Sequence, residues 1–117
     1  MNTNVLIIGA GPAGIFTALE LLRQGSKRKI VMIEKGEAIE RRRCPKSKTK
    51  RCVDCKPYCH ITTGFSGAGA FSDGKLKVGS MDKYKHFVLS SFVNAGAPQD
   101  ILYTVGAHLG TDMLPEL

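Results

Sequence analysis

Long hydrophobic runs are missing from this chain. None approaches the roughly 18 apolar residues that a membrane-spanning helix needs. The opening MNTNVLIIGAG has neither the basic start nor the extended apolar stretch of a secretory signal. The expectation is therefore a chain without a span or leader, located in the cytoplasm. Internal repeats and hydrophobic heptads are missing too, which argues against a solenoid or a coiled coil. Acidic residues are scarce, 10 against 17 basic ones, for a net charge of +7. That imbalance invites a nucleic-acid reading, but its position argues against one. Arg41 to Lys56 carries eight basic residues and one acidic residue, leaving nine of each sign elsewhere. A polynucleotide-binding surface built from the whole chain is excluded.

What is present suits one small globular domain: 117 residues, 43% hydrophobic and 23% charged. Val5-Leu6-Ile7-Ile8 is a continuous aliphatic run ended by glycine, the pattern of a parallel strand buried on both faces. Ile15, Ala18, Leu19 and Leu22 recur at helical spacing, predicting a helix from about Ala13 to Gln24 with Gly25 as its stop. Ile30-Val31-Met32-Ile33 then repeats the strand pattern. These pieces form a Rossmann-like βαβ unit over residues 1–36. Residues 37–80 read as a basic, Cys-rich and Gly-rich loop segment of the same domain. Residues 81–117 read as a short helical or irregular tail continuing into missing sequence. In it, Val88, Phe92 and Ala95 mark one helix ended by Gly96, and Pro98 opens another carrying Ile101, Leu102 and Val105.

The chemistry concentrates in the first turn. Gly9, Gly11 and Gly14 form G-x-G-x-x-G between strand and helix. Gly9 permits the tight turn, Gly11 admits a pyrophosphate near the backbone, and Gly14 lets helix and strand approach closely. A diphosphate would sit on the helix N-terminus, over Pro12 and Ala13. Twenty positions after Gly14 stands Glu34, at the end of the second strand. A carboxylate there accepts hydrogen bonds from a ribose diol and repels a 2′-phosphate, which disfavours NADP at this site. Lys35 follows it. An NAD domain would soon continue into another helix and strand. This chain instead enters a long irregular stretch, so FAD is the expected occupant, with NAD(P)H as an electron donor.

Cys44, Cys52, Cys55 and Cys59 are separated by seven, two and three residues. The spacing matches neither two C-x-x-C pairs nor a ferredoxin run, so three readings stay open: zinc or an iron–sulfur cluster on the four cysteines, redox thiols, or a basic solvated loop. Arg51, Lys50 and Lys56, around Cys52 and Cys55, predict at least one unusually acidic thiol in the cluster. In GFSGAGAFSDGKL, Gly67, Ala68 and Gly69 bring backbone N–H groups toward a phosphate or flavin edge, and Lys75 adds positive charge. His108 has no partner placed by sequence.

The segments VLIIGAGPAGIFTALEL, IEKG, RRRCP…CVDCKPYC and GFSGAGAFSDGKL, with AGAP…ILY and HLGTD, resemble the FAD-dependent dehydrogenases, also described as NAD(P)/FAD-dependent oxidoreductases. The resemblance implies an α/β chain with an incomplete FAD domain of the glutathione-reductase type. It implies Gly9, Gly11, Gly14 and Glu34 on the AMP side of FAD and Gly67 to Gly69 on the flavin side. It leaves the catalytic residue and the small-molecule substrate undefined. Complete members are much longer, so this chain is expected to need missing sequence or self-association for stability, and not to turn over substrate alone. The competing reading is a zinc-binding, basic nucleic-acid or phosphate-binding module without redox turnover.

Overall fold

The structure, a computed structural model, describes residues 3–77, 84–104, 106–110 and 112–117; Val105 and Thr111, named above, lie outside them. The chain divides into two compact units, Met1–Ala68 and Gly69–Leu117.

The first unit opens with strand β1 (Val5–Ile8), helix α1 (Pro12–Arg23) and strand β2 (Ile30–Ile33). The strands pair in parallel, Val5 with Ile30 through Ile8 with Ile33, so the expected βαβ unit is present. Proline at the first helical position sets φ for α1. Gly25 ends it in the left-handed conformation, with its N–H bonded to Leu22 and the N–H of Ser26 bonded to Leu21, a Schellman closure.

One expectation fails. β1 is not buried on both faces, because among the described residues only α1 covers it. Ile7 points toward α1 and is buried, whereas Leu6, Ile8 and Ile33 stay exposed, Ile8 by 80%. A sheet of two strands has no third layer to hide its other face.

After β2 the chain is largely irregular, as expected. It makes one 3₁₀ turn (Ile39–Arg41) and a single helical turn, α2 (Lys46–Thr49). From Lys35 to Thr63 the buried side chain is Arg42, only 2% exposed, so this stretch is held by a polar anchor where an apolar core would ordinarily serve.

The second unit pairs β3 (Lys75–Leu76) with β4 (Ala107–His108) in antiparallel fashion. Helix α3 (Lys85–Asn94) and a 3₁₀ turn (Gln99–Leu102) lie where the two tail helices were expected, the latter opened by Pro98. They meet in a small core of Leu89, Ala97, Ile101, Ala107 and Leu109, with Phe92 packed against it. Fully burying a Leu or Ile contributes about 1.5 to 3 kcal/mol, so this unit has a modest hydrophobic base of its own.

Candidate functional site

The glycine turn follows the geometry its spacing implies. Gly9 has φ +98, a conformation side chains rarely adopt. A Cβ on Gly14 would fall 2.1 Å from the carbonyl oxygen of Gly9, so helix and strand touch here without room for alanine. A Cβ on Gly11 would meet no protein atom within 4 Å. The space in front of Gly11 is open, and α1 begins there with no side-chain cap and no acidic residue in its first turn. Its leading N–H groups and positive dipole end thus face that space without a side-chain cap.

Glu34 stands beside this turn. Its Oε2 accepts the N–H of Ala10 at 2.9 Å, and its Oε1 accepts the N–H of Gly36 at 2.9 Å. These two bonds, opposed by partial desolvation and aided by the charge and backbone N–H of Lys35, hold the carboxyl below its ordinary value. Glu34 is therefore ionised at neutral pH. Each carboxylate oxygen has a second lone pair beyond the one used on the backbone. Lys35 itself is exposed.

The loop that follows the cysteines is laid against the same turn. Ser66 donates its N–H to the carbonyl of Ala10 at 2.7 Å, and Phe65 donates to Glu37 at 3.0 Å. A Cβ on Gly67 would come within 3.1 Å of Pro12 and 3.2 Å of Gly11. Gly67 is thus brought to the dinucleotide turn, while Ala68 is exposed and opens the 3₁₀ turn Ala68–Phe71. Gly69 is also exposed and belongs to the second unit. Lys75, expected to add free positive charge, pairs with Asp73 at 2.8 Å.

The residue that builds this loop was not singled out by sequence. Arg42 donates from Nε to His60 O (2.9 Å), from Nη2 to Ile61 O (2.6 Å), and from Nη1 to Phe65 O (2.6 Å) and Gly67 O (2.8 Å). Burial pushes its guanidinium below the ordinary value, while Glu34 and Cys59 pull it back up. An Arg stays charged through such shifts, so one buried cation satisfies four carbonyls. In the run Arg41-Arg42-Arg43 nothing marks the middle residue as the buried one. The usable signal was weak: an irregular stretch with no apolar anchor requires some other one.

The four cysteines, all free, line one small cavity of about 60 Å³ together with His60. Among the described residues no three His, Cys, Asp or Glu side chains form a group that could hold a metal ion. The cluster was expected to hold at least one acidic thiol. The thiol that the structure acidifies is Cys59, through the backbone N–H groups of Thr62 and Ile61 and the Thr62 hydroxyl, with Arg42 contributing charge. Directed N–H groups from the local turn produce this shift; nearby lysine side chains are not among its causes.

Residues 3–87 match the family model described as pyridine nucleotide-disulphide oxidoreductase, a span that holds the turn, Glu34, Arg42 and the cysteines. The chain belongs to this family. It is also 41% identical over 109 residues to an uncharacterized protein of Clostridium beijerinckii (strain ATCC 51743 / NCIMB 8052). That match covers 93% of this chain and 20% of the relative, so the chain spans about a fifth of the relative's length. The expected kinship with FAD- and NAD(P)-dependent oxidoreductases is borne out, and with it a Rossmann-like dinucleotide-binding fold. As an oxidoreductase-family chain it has, among the described residues, no helix long and apolar enough to cross a membrane.

Proposed function

We propose that the unit Met1–Ala68 holds the ADP half of FAD, as the first part of a flavin-dependent dehydrogenase of the glutathione-reductase type. The observation that carries this reading is the open space before Gly11, faced by an uncapped helix start and flanked by the anchored carboxylate of Glu34. A diphosphate fits the first feature, since helix N–H groups and dipole favour an anion. A ribose diol fits the second, through the lone pairs that Ala10 and Gly36 leave on Glu34. The same carboxylate disfavours a 2′-phosphate. FAD is preferred to NAD because the chain departs from β2 into the loop clamped by Arg42, whose Gly67 returns to Gly11 and Pro12, and does not continue into a further helix and strand.

In this role the chain's residues bind and orient; the bound flavin would supply the electron chemistry. NAD(P)H is the proposed donor, and turnover is assigned to the longer protein. The test is to saturate the purified chain with FAD, remove excess by gel filtration, record the visible spectrum and identify the chromophore released by denaturation. Retained FAD supports the proposal. Retention of NAD but not FAD, or of neither, overturns it.

A further inference from the structure

On the reading of the first unit as an ADP site, we propose that Arg42 is its positioning residue, fixing through the loop it clamps the direction in which the Gly11 N–H is presented to a diphosphate. Ala10 is fully buried and held from both sides. Its N–H is taken by Glu34 Oε2 at 2.9 Å, and its carbonyl accepts the N–H of Ser66 at 2.7 Å. In a trans peptide the C=O of one residue and the N–H of the next point opposite ways. Holding the Ala10 carbonyl on Ser66 therefore turns the Gly11 N–H away from the loop, and that N–H has no acceptor among the described residues. Pro12 has no N–H to offer, so Gly11 is the donor that precedes Ala13 at the start of α1.

The Ser66 N–H is set in turn by Arg42. Ser66 stands at φ +72 and Gly67 at φ +68, and a non-glycine residue keeps such a left-handed conformation only where its surroundings impose it. Arg42 Nη1 donates to the carbonyls on both sides of Ser66, Phe65 O at 2.6 Å and Gly67 O at 2.8 Å. Drawing the Phe65 carbonyl to Nη1 turns the Ser66 N–H the opposite way, toward Ala10. Two peptide groups in series thus carry the direction of the guanidinium to Gly11. The other donors, Nε and Nη2, hold His60 O and Ile61 O and pin the start of the same loop. The side chain lies directly against Gly64, where a Cβ would fall 2.6 Å from Arg42 Cδ. A planar fork of five N–H donors serves four carbonyls at once, whereas lysine carries its three donors on a single atom and cannot span them.

The experiment titrates the full chain, wild type and Arg42→Lys, with ADP and with adenosine, which lacks the diphosphate. Arg42→Lys keeps the charge and loses the fork. Its ADP affinity is expected to fall about ten-fold and its adenosine affinity by less than about two-fold. Partial unfolding scales both affinities by the same folded fraction, so their ratio reports orientation. In Arg42→Ala, methylguanidinium can enter the space left among the four carbonyls and should restore the ratio; methylammonium should not. With no ligand added, the Ser66 amide of Arg42→Lys should exchange with solvent about ten-fold faster than in wild type, with the β2 amides unchanged. Equal losses for ADP and adenosine, rescue by methylammonium as complete as by methylguanidinium, or an unaltered Ser66 amide would overturn the role of Arg42. A wild-type chain that ignores ADP would overturn the ADP reading instead, and the exchange result, which needs no ligand, still decides whether Arg42 orders the turn.

Discussion

Replacing Glu34 by Gln tests the centre of the proposed site. The carboxylate of Glu34 has two anchored oxygens, each taking one backbone N–H at 2.9 Å. Glutamine can present an oxygen to only one of these donors. Its amide nitrogen must face the other, donor against donor. A charge-assisted hydrogen bond contributes about 1.5 to 3 kcal/mol, so losing one ribose contact predicts FAD affinity about 10- to 150-fold weaker. A weaker turn alone would lower affinity for every adenine dinucleotide alike. Ribose recognition makes a sharper claim, because removing the negative charge also removes its repulsion of a 2′-phosphate. The assay is fluorescence titration of wild type and Glu34→Gln with ADP and with its 2′-phosphorylated analogue. The preference for the free 2′-hydroxyl should shrink by about ten-fold or more. Parallel losses for both ligands, with their ratio unchanged, would refute the contact and leave Glu34 as a loop anchor.

The depressed Glu34 carboxyl also sets a pH signature. Its folded value lies below the ordinary 4.5, so its contribution to stability is present above the unfolded value and is lost as pH falls through the folded one. Denaturation curves below about pH 5 should therefore slope less steeply for Glu34→Gln than for wild type; parallel slopes would remove this role. Glu20, held at about 2 by Arg23 and Gln24, and Asp73 titrate alike in both proteins and cancel in the difference. Gly14→Ala places a methyl 2.1 Å from the Gly9 carbonyl, and overpacking of this kind costs about 1 to 3 kcal/mol, read as a lower denaturation midpoint. A midpoint equal to wild type would mean that α1 does not contact β1 there.

Much of the first unit was legible because its physics is local. β1, α1 and β2 announce themselves by aliphatic runs, a 3.6-residue period, and glycines at each break. Glu34 was found because the end of β2 is a fixed distance from the turn. Arg42 was not found, because its partners are carbonyls 18 to 25 residues away, and carbonyls have no sequence signature. The Cys59 environment escaped for the same reason. Counting lysines near Cys52 and Cys55 weighs exposed charges, while the acidifying groups are backbone N–H donors. The reading of β1 as doubly buried failed because an aliphatic run reports what a strand can bury and is silent on how many layers surround it. In the second unit, Leu89 and Ile101 are isolated apolar residues in short elements, and a core assembled from such pieces leaves no period to detect.

The placement of Arg42 bears on ionic strength. The exposed bases of the Arg41 to Lys56 stretch act across water, where salt screens them within about 8 Å at physiological concentration. Arg42 sits out of solvent and exerts its influence through the peptide dipoles it orders, a route that mobile ions do not interrupt. Raising salt should accordingly separate anion binding from the order of the loop. Anions on the lysine-rich surface and on the open helix start are both released by salt, while the loop that Arg42 holds keeps its shape.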